Sequence, residues 1–112
     1  MNFRFQSKQR LIDKDQFDRV FEKKQKKTTK IFTVFYCKND LVFSRLGVGV
    51  SKKNINKATK RNYFKRIVRE AFRLNQNKLD NLDVLVFVNR GAKNATNQET
   101  QDCIKKQFES LL

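Results

Sequence analysis

Histidine and proline are absent from this chain of 112 residues, which has three glycines and two cysteines. Without histidine there is no imidazole general base, no Ser-His-Asp or Cys-His site and no histidine-containing zinc site. Cys37 and Cys103 are too few for a four-thiolate site, and we expect both to be buried, reduced thiols of a cytosolic protein. Gly47 and Gly49 precede a lysine-rich loop instead of the GK[ST] of a phosphate-binding loop. We therefore expect no catalytic residue and no metal ligand in the chain.

Long apolar runs are also missing, and none approaches the ~20 residues that a membrane span requires. The first residues, MNFRFQSKQR, alternate charged and aromatic side chains and lack the apolar centre of a signal peptide, so we expect residues 1–10 to form a loose basic arm. No repeat, linker or low-complexity block divides the chain, and eleven phenylalanines favour order over disorder. We expect residues 1–112 to form a single cytoplasmic domain.

Positive charge is what the sequence has in excess. Its 26 lysines and arginines stand against 11 acidic residues, which gives a net charge of +15. Repulsion of this size destabilises a compact state unless an anionic partner offsets it. Nucleic acid is the commonest such partner of a basic chain. An anionic membrane surface is the second alternative, and a merely solvated surface is the third.

The hydrophobic periodicity predicts the order helix, strands, helix, strand, helix. The predicted elements are a helix over 13–24 with Asp13 as its N-cap, a basic connection over 23–30, a strand over 31–37, a strand region over 41–51 broken near Ser44, a helix over 57–74, a strand over 83–88 buried on both faces, a loop over 89–94, and a last helix opened by a capping box at 96–99. This order predicts an α+β fold in which helices cover a sheet. The strands before and after the helix over 57–74 are predicted to be parallel, and the general rule makes their crossover right-handed.

Two of the strands predict a surface for single-stranded nucleic acid. Alternation along the strand over 31–37 places Phe35 on the face opposite to Phe32 and Tyr36. In the next strand Gly47 and Gly49 share one face and leave it bare, which suits the close approach of a ligand. For any single aromatic residue, burial in the core is the commoner outcome. An exposed phenylalanine beside bare glycines and a basic helix would bind a single strand by stacking and charge.

The stretch ATKRNYFKRIVREAFR, residues 58–73, separates into two faces at about 100° per residue. The apolar face holds Phe64, Ile67, Val68, Ala71 and Phe72, and the polar face holds Arg61, Asn62, Lys65, Arg66, Arg69 and Arg73. One glutamate stands against six cations here, and like charges at i,i+4 repel each other. A solvated face usually mixes both signs, so the pattern favours phosphates as the partner. Lys52 and Lys53 extend this basic surface upstream.

Residues 45–73, RLGVGVSKKNINKATKRNYFKRIVREAFR, resemble the protein subunit of bacterial ribonuclease P. The family pattern is a strand ending in V-[SA]-K-K, a short loop, and a helix that begins R-N-R-x-K-R and has R-E near its end. The matching positions are Val50, Ser51, Lys52, Lys53, Arg61, Asn62, Lys65, Arg66, Arg69 and Glu70. A weaker D-x-F-x-x-V-F element is matched over 15–21. The order of elements agrees along most of the chain.

The resemblance implies a two-layer α/β sandwich with a four-stranded sheet, three helices and a left-handed crossover, against the general rule. It also implies an accessory subunit of a ribonucleoprotein endoribonuclease rather than a catalyst. In that family the RNA subunit removes the 5′ leader of precursor tRNA with Mg²⁺, which is bound mainly by the RNA and the substrate. The implied partners are ribonuclease P RNA and precursor tRNA, with no membrane and no obligate protein partner.

The resemblance also implies which residues bind RNA. Contacts with the RNA subunit would come from Lys52, Lys53, Arg61, Asn62, Lys65, Arg66, Arg69 and Arg73. A cleft between the first helix and the sheet would bind the leader through Phe17, Phe21, Phe35 and Ser51. Tyr63 stands where the family has arginine, and we expect a weaker phosphate contact there. Lysines replace a glycine that often follows the first helix in the family.

Three other functions compete with this one. A structural RNA-binding protein, such as a ribosomal protein, shares the basic helix but needs no aromatic cleft for a substrate strand. A stand-alone nuclease would need a carboxylate cluster, and the only dense group is Asp13, Asp15 and Asp18. A protein that binds a membrane surface would share only the positive charge.

Overall fold

The structure, a computed structural model, describes residues 14–23, 25–75, 78–79 and 81–111, without the side chains of 14–17. Its elements are α1 (Lys14–Glu22), β1 (Lys26–Thr28), β2 (Phe32–Lys38), β3 (Arg45–Gly49), α2 (Ala58–Asn75), β4 (Leu82–Val88) and α3 (Asn97–Glu109), with a 3-10 helix at Arg90–Asn94. The strands form one four-stranded sheet in the order β1-β2-β4-β3. Strand β2 is antiparallel to β1 and β4, whereas β3 and β4 are parallel. The predicted α+β class and the four-stranded sheet are confirmed.

Alternation along the strands gives the sheet two faces with different covers. Helices α2 and α3 cover the first face, where one core cluster contains Phe32, Val34, Leu46, Val84, Val86 and Val88 of the sheet, Phe64, Val68 and Phe72 of α2, and Ile104 and Phe108 of α3. Helix α1 packs on the second face, where Val20 contacts a smaller cluster with Cys37 and Leu85. Since α1 is short, part of this second face is left for other contacts.

The loops after β3 and β4 meet at the carboxyl ends of these two strands. Parallel strands place their carboxyl ends at the same edge, and the Asn54 side-chain amide donates to the Val88 carbonyl oxygen at 3.0 Å. The turn over 50–57, which leads into α2, is thereby held next to the 3-10 helix that follows β4. The handedness of this crossover stays an expectation from the resemblance.

Three local predictions were wrong. The basic connection over 23–30 contains strand β1, whose Lys26 pairs with Phe35 of β2. Residues 41–43, predicted as strand, form a bend, and the loop over 89–94 contains the 3-10 helix. Lysine-rich segments have low strand propensity, so β1 forms because β2 offers it a partner edge.

The helix ends and the cysteines are mostly as predicted. The capping box is confirmed, since the Thr96 side chain accepts from the Glu99 backbone N–H and the Glu99 carboxylate accepts from the Thr96 backbone N–H. The predicted N-cap Asp13 lies outside the described residues. Both cysteines are free thiols, and Cys37 is buried. Cys103 is only half-buried, because it lies at the surface of α3 with its Sγ 3.1 Å from Thr29 Oγ1.

Candidate nucleic-acid interface

The predicted polar face of α2 is turned toward solvent, away from the core cluster. Asn62, Arg66 and Arg69 are exposed, and Lys65 is half-buried at the same side. Lys52 and Lys53 are exposed in the turn between β3 and α2. The cations among these residues are called the basic surface: Lys52, Lys53, Lys65, Arg66 and Arg69. Within the described ranges none of these five forms an ion pair.

Arg61 shapes the turn that carries the two lysines. Its Nη1 atom donates to the carbonyl oxygens of Ile55 at 3.0 Å and Asn56 at 2.8 Å. Because the guanidinium satisfies these two carbonyl groups, it fixes the turn against the first part of α2. Arg61 therefore holds the turn at the edge of the basic surface, and its contact with RNA stays a prediction.

Arg73 has an acidic partner at the other end of α2. Its guanidinium makes a two-point contact with the Glu70 carboxylate, three residues earlier. The side-chain hydrogen bond from Arg73 lowers the pKa of Glu70, and the same bond raises the pKa of Arg73. The pair is exposed to solvent, and its main effect is to reduce the positive charge at the carboxyl end of the helix.

The loop after β4 adds two cations that the sequence-based prediction missed. Arg90 and Lys93 are exposed in the 3-10 helix. The Asn54–Val88 hydrogen bond joins the end of β4, just before this helix, to the turn that carries Lys52. Two cations in the segment that follows a buried strand could have indicated positive charge at the carboxyl end of β4, but the segment was predicted only as a loop.

Tyr63 lies on the flank of α2, between its apolar and polar faces. It is half-buried against the core, and its hydroxyl is hydrogen-bonded to the Asn97 side chain at the start of α3. The ring also makes an edge contact with Phe64, with 5.3 Å between centroids. Tyr63 thereby joins α2 to α3.

Three phenylalanines form a cluster on the second face of the sheet, beside α1. The Phe21 and Phe35 rings meet edge to face at 4.9 Å between centroids, and Phe21 lies nearly parallel to Phe87 at 5.8 Å. Phe35 and Phe87 meet edge to face at 5.8 Å. Phe21 is 40% exposed, so the cluster faces solvent. We call Phe21, Phe35 and Phe87 the aromatic cleft.

The structure brings together some of the predicted cleft residues and adds one. Phe21 and Phe35 are in contact, as expected, whereas the side chain of Phe17 lies outside the described residues. Ser51 is exposed in the turn after β3, where its Oγ accepts from the Asn54 backbone N–H at 3.1 Å. Phe87 was missed because its strand was predicted to be buried on both faces, yet its ring is only half-buried.

Gly49 allows the Phe87 ring to lie across strand β3. The two residues are register partners, and a Cβ atom at residue 49 would lie 2.7 Å from Cδ1 and from Cε1 of the ring. Real Cβ atoms do not approach carbon so closely. At Gly49 the group that approaches is therefore a side chain of the protein itself, and the approach of a ligand to the glycine face stays a prediction.

A buried polar network lies next to the cleft under α1. The Asp83 carboxylate is fully buried and accepts from Arg45 Nε at 2.8 Å and Nη2 at 2.6 Å. The Asn39 side chain donates to the same carboxylate at 2.8 Å. Arg19 of α1 donates to the Lys38 carbonyl oxygen at 2.7 Å, and its Nη1 lies 4.0 Å from Asp83. The network ties α1, which carries Phe21, to the ends of β2, β3 and β4.

The described ranges contain neither a metal-binding cluster nor a membrane-spanning helix. They contain no group of three or more Asp, Glu, Cys or His side chains that could hold a metal ion. Of the proposed nuclease cluster, Asp18 is exposed on α1, while Asp13 and the side chain of Asp15 lie outside the described residues. No helix in the described part is both long enough and apolar enough to cross a membrane.

Comparisons with known proteins point to one family. The family model described as Ribonuclease P matches residues 5–112. The "Ribonuclease P protein component" of Legionella pneumophila (strain Lens) is 38% identical over 97% of this chain and 94% of its own. That of Pseudoalteromonas translucida (strain TAC 125) is 34% identical over 98% of this chain and 79% of its own.

Solved structures agree with the sequence comparisons. An RNase P protein from Staphylococcus aureus matches with a TM-score of 0.84 and 28% identity, over 91% of this chain and 94% of that chain. The RNase P protein from Thermotoga maritima matches with a TM-score of 0.69 and 28% identity, over 87% and 96%. The likeness therefore extends along nearly the whole chain, well beyond residues 45–73.

Proposed function

The chain belongs to the ribonuclease P protein family, the protein component of a ribonucleoprotein endonuclease, and from this membership we propose how its two surfaces divide the work. The basic surface binds the ribonuclease P RNA. The aromatic cleft binds the single-stranded 5′ leader of precursor tRNA. The protein acts in the cytoplasm, where these two RNAs are its partners.

The observation that carries this proposal is the solvent-facing aromatic cleft on the sheet face that α2 and α3 leave open. Phe21 is 40% exposed although it is a large apolar side chain, and it packs on two other rings. Stacking on aromatic side chains is how proteins hold single strands, because every base has an apolar face. A purely structural RNA-binding protein has no use for such a cleft, and no observation favours the ribosomal alternative.

The basic surface supports the second half of the proposal. Its five cations have no acidic partner within the described residues, so phosphates can take that place. Asn62 can add a neutral hydrogen bond beside them, and Arg61 holds the turn that presents Lys52 and Lys53. Arg73 contributes less than its position suggests, because Glu70 neutralises it. Such contacts release counterions, so the affinity for RNA should fall steeply with salt.

Magnesium belongs to the RNA partners in this proposal. The described side chains contain no group of carboxylates that fits a protein-held Mg²⁺ ion. The proposal therefore assigns no chemical step to the protein. The chain binds, screens phosphate repulsion and positions the leader, and the RNA subunit with its Mg²⁺ ions carries the hydrolysis.

Cleavage of a 5′-labelled precursor tRNA at low Mg²⁺ tests the proposal. Three reactions are compared: the protein alone, a bacterial ribonuclease P RNA alone, and the two together. We expect cleavage at the mature 5′ end only with both present. No gain over the RNA alone would contradict the accessory role. Cleavage by the protein alone would mean that carboxylates of the chain act as a nuclease.

A further inference from the structure

The edge strand β1 carries lysines on both faces of the sheet. Lys26 is the register partner of Phe35, so its side chain lies on the face of the aromatic cleft. Its Nζ atom is 5.9 Å from the centroid of the Phe35 ring. Lys27 points to the other face, where its Nζ donates to the Ser110 carbonyl oxygen at 3.1 Å. Neighbouring lysines of one strand therefore have different surroundings.

Lys23 directly follows α1, the helix that packs on the cleft face of the sheet. Burial raises the pKa of the Cys37 thiol, as does the negative charge of Asp83, whereas the positive charges of Arg19, Lys23 and Arg45 lower it. Cys37 belongs to the cleft face of β2, two residues from Phe35. Both Lys23 and Lys26 are exposed, and neither forms an ion pair within the part of the chain that the structure describes.

The cations and the rings follow one another in space across the sheet, from β3 to β1. Lys52 and Lys53 follow the end of β3, Gly49 and Phe87 come next on β3 and β4, Phe35 lies on β2, and Lys26 lies on β1. From β3 to β1 there are three strand spacings, or about 14 Å. A track of this length has rings in its middle and positive charge at each end.

We propose that Lys23 and Lys26 bind backbone phosphates of the leader beyond the nucleotides that stack in the aromatic cleft, so that the strand crosses all four β-strands. This inference rests on the proposed function, because it extends the same cleft to a second edge. The order follows from the fold: the leader reaches the sheet at β3, next to the RNA held by the basic surface, and leaves over β1. Leader nucleotides beyond β1 contribute nothing further.

Lysine on an edge strand has another role, because it discourages pairing with a second chain. That role requires only an exposed charge on the edge, and Lys27 fulfils it as well as Lys26. Phosphate binding beside the rings requires the cleft face, which Lys27 does not occupy. Lys27→Gln is therefore a matched control, with the same change of charge on the neighbouring residue of the same strand.

The experiment measures the Kd of the reconstituted ribonucleoprotein for precursor tRNAs whose leaders grow one nucleotide at a time. For the wild-type protein we expect the affinity to rise in two stages, first as the rings are reached and then as β1 is reached. In the double variant Lys23→Gln/Lys26→Gln the second stage should be lost. The expected loss is about two- to fivefold for each lysine, the range of exposed ion pairs.

The salt dependence gives a second readout. Each lost contact with a single strand should reduce the slope of log affinity against log salt by about 0.7 for long leaders and leave it unchanged for short ones. Lys27→Gln should follow the wild type in both measurements. Equal losses for short and long leaders, or equal losses in the Lys27 control, would overturn the inference.

The same series separates this inference from the proposed function. If short leaders improve binding and the Lys23→Gln/Lys26→Gln variant matches the wild type at every length, the track ends before β1 and the leader still binds the cleft. If no leader of any length improves binding by the wild-type protein, the proposed role of the cleft is wrong as well. Circular dichroism of each variant checks that its fold is intact.

Discussion

Gly49→Ala tests whether the glycine of β3 sets the position of the Phe87 ring. A Cβ atom at residue 49 would lie 2.7 Å from Cδ1 and from Cε1 of the ring, whereas carbon atoms in contact are ~3.5–4.0 Å apart. The ring must therefore move by about 1 Å, relative to Phe21 and Phe35, whose centroids are each 5.8 Å away. Since Phe87 is half-buried, its ring can turn toward solvent, and we expect the low end of the overpacking range, about 1 kcal/mol.

Urea unfolding of Gly49→Ala, Phe87→Leu and the double variant measures this effect. Leucine lacks the ring atoms that the new methyl group would meet, so the double variant should be less destabilised than the sum of the two single variants. The interaction free energy should be about 0.5–1 kcal/mol, as for other residues in contact. A cycle that is additive within ~0.3–0.5 kcal/mol, the scatter of independent sites, would refute the reasoning.

A binding assay distinguishes the packing of the Phe87 ring from its proposed contact with RNA. The readout is the Kd of the ribonucleoprotein for precursor tRNA relative to mature tRNA. Both Gly49→Ala and the double variant should lose part of the preference for precursor, by up to about 1–3 kcal/mol, the contribution of one stacked base. If the double variant recovers the preference as well as stability, Phe87 does not contact the leader.

Four further predictions concern the cleft, the buried network, helix α3 and the basic surface. Phe21→Ala should reduce the precursor preference by about 1–3 kcal/mol, whereas Leu74→Ala, which removes another exposed apolar side chain, should not; equal effects in the same binding assay would contradict the cleft. Asp83→Asn should lower the free energy of unfolding in urea by about 3–5 kcal/mol, because the half-buried Arg45 guanidinium would lose the charge of a fully buried carboxylate; a loss below 1 kcal/mol, the range of exposed pairs, would contradict this account. The pKa of Glu99 is lowered first by the hydrogen bond from the Thr96 backbone, then by the Thr96 side chain and by the charge of Lys30. The ionised Glu99 carboxylate therefore stabilises the folded state above the ordinary carboxyl pKa, and this contribution disappears as the pH falls through the lowered pKa. Glu99→Gln should therefore flatten the acid limb of a stability curve measured by circular dichroism, and an unchanged curve would count against the capping box. Sulfate should raise the unfolding temperature by binding the basic surface, and a titration without effect on it would argue against a phosphate site.

Helix α2 shows how far the sequence alone leads. Phe64, Val68 and Phe72 are buried as the 3.6-residue period requires, and the cations lie outside as predicted. Both facts depend only on positions within one helix. The pairing of Arg73 with Glu70 was also within reach, since the residues are three apart on one helix.

Strand β1 and Asp83 show where the sequence leads no further. Nothing in a lysine-rich segment indicates a strand, and β1 exists only because the edge of β2 is open to it. Asp83 and its partner Arg45 are 38 positions apart, and the aspartate begins a run that predicts burial without a charge. The exposure of Phe87 could not be predicted for the same reason. It depends on how much of the sheet is covered by α1, which is distant from Phe87 in the sequence.

The two apolar clusters of the fold differ greatly in size, and this has a thermodynamic consequence. Among its described side chains, 18–22, helix α1 contributes one fully buried side chain, Val20, to the smaller cluster, whereas α2 and α3 share the larger one. Local opening of α1 therefore requires less free energy than opening of α2, and its amide hydrogens should exchange with solvent sooner. If the leader binds the aromatic cleft beside α1 as proposed, it should suppress that opening, so binding of the leader and the order of α1 would be linked. Some of the gross binding energy of the leader then goes into holding the helix closed, and a variant that holds α1 more firmly would bind the leader more tightly without a new contact.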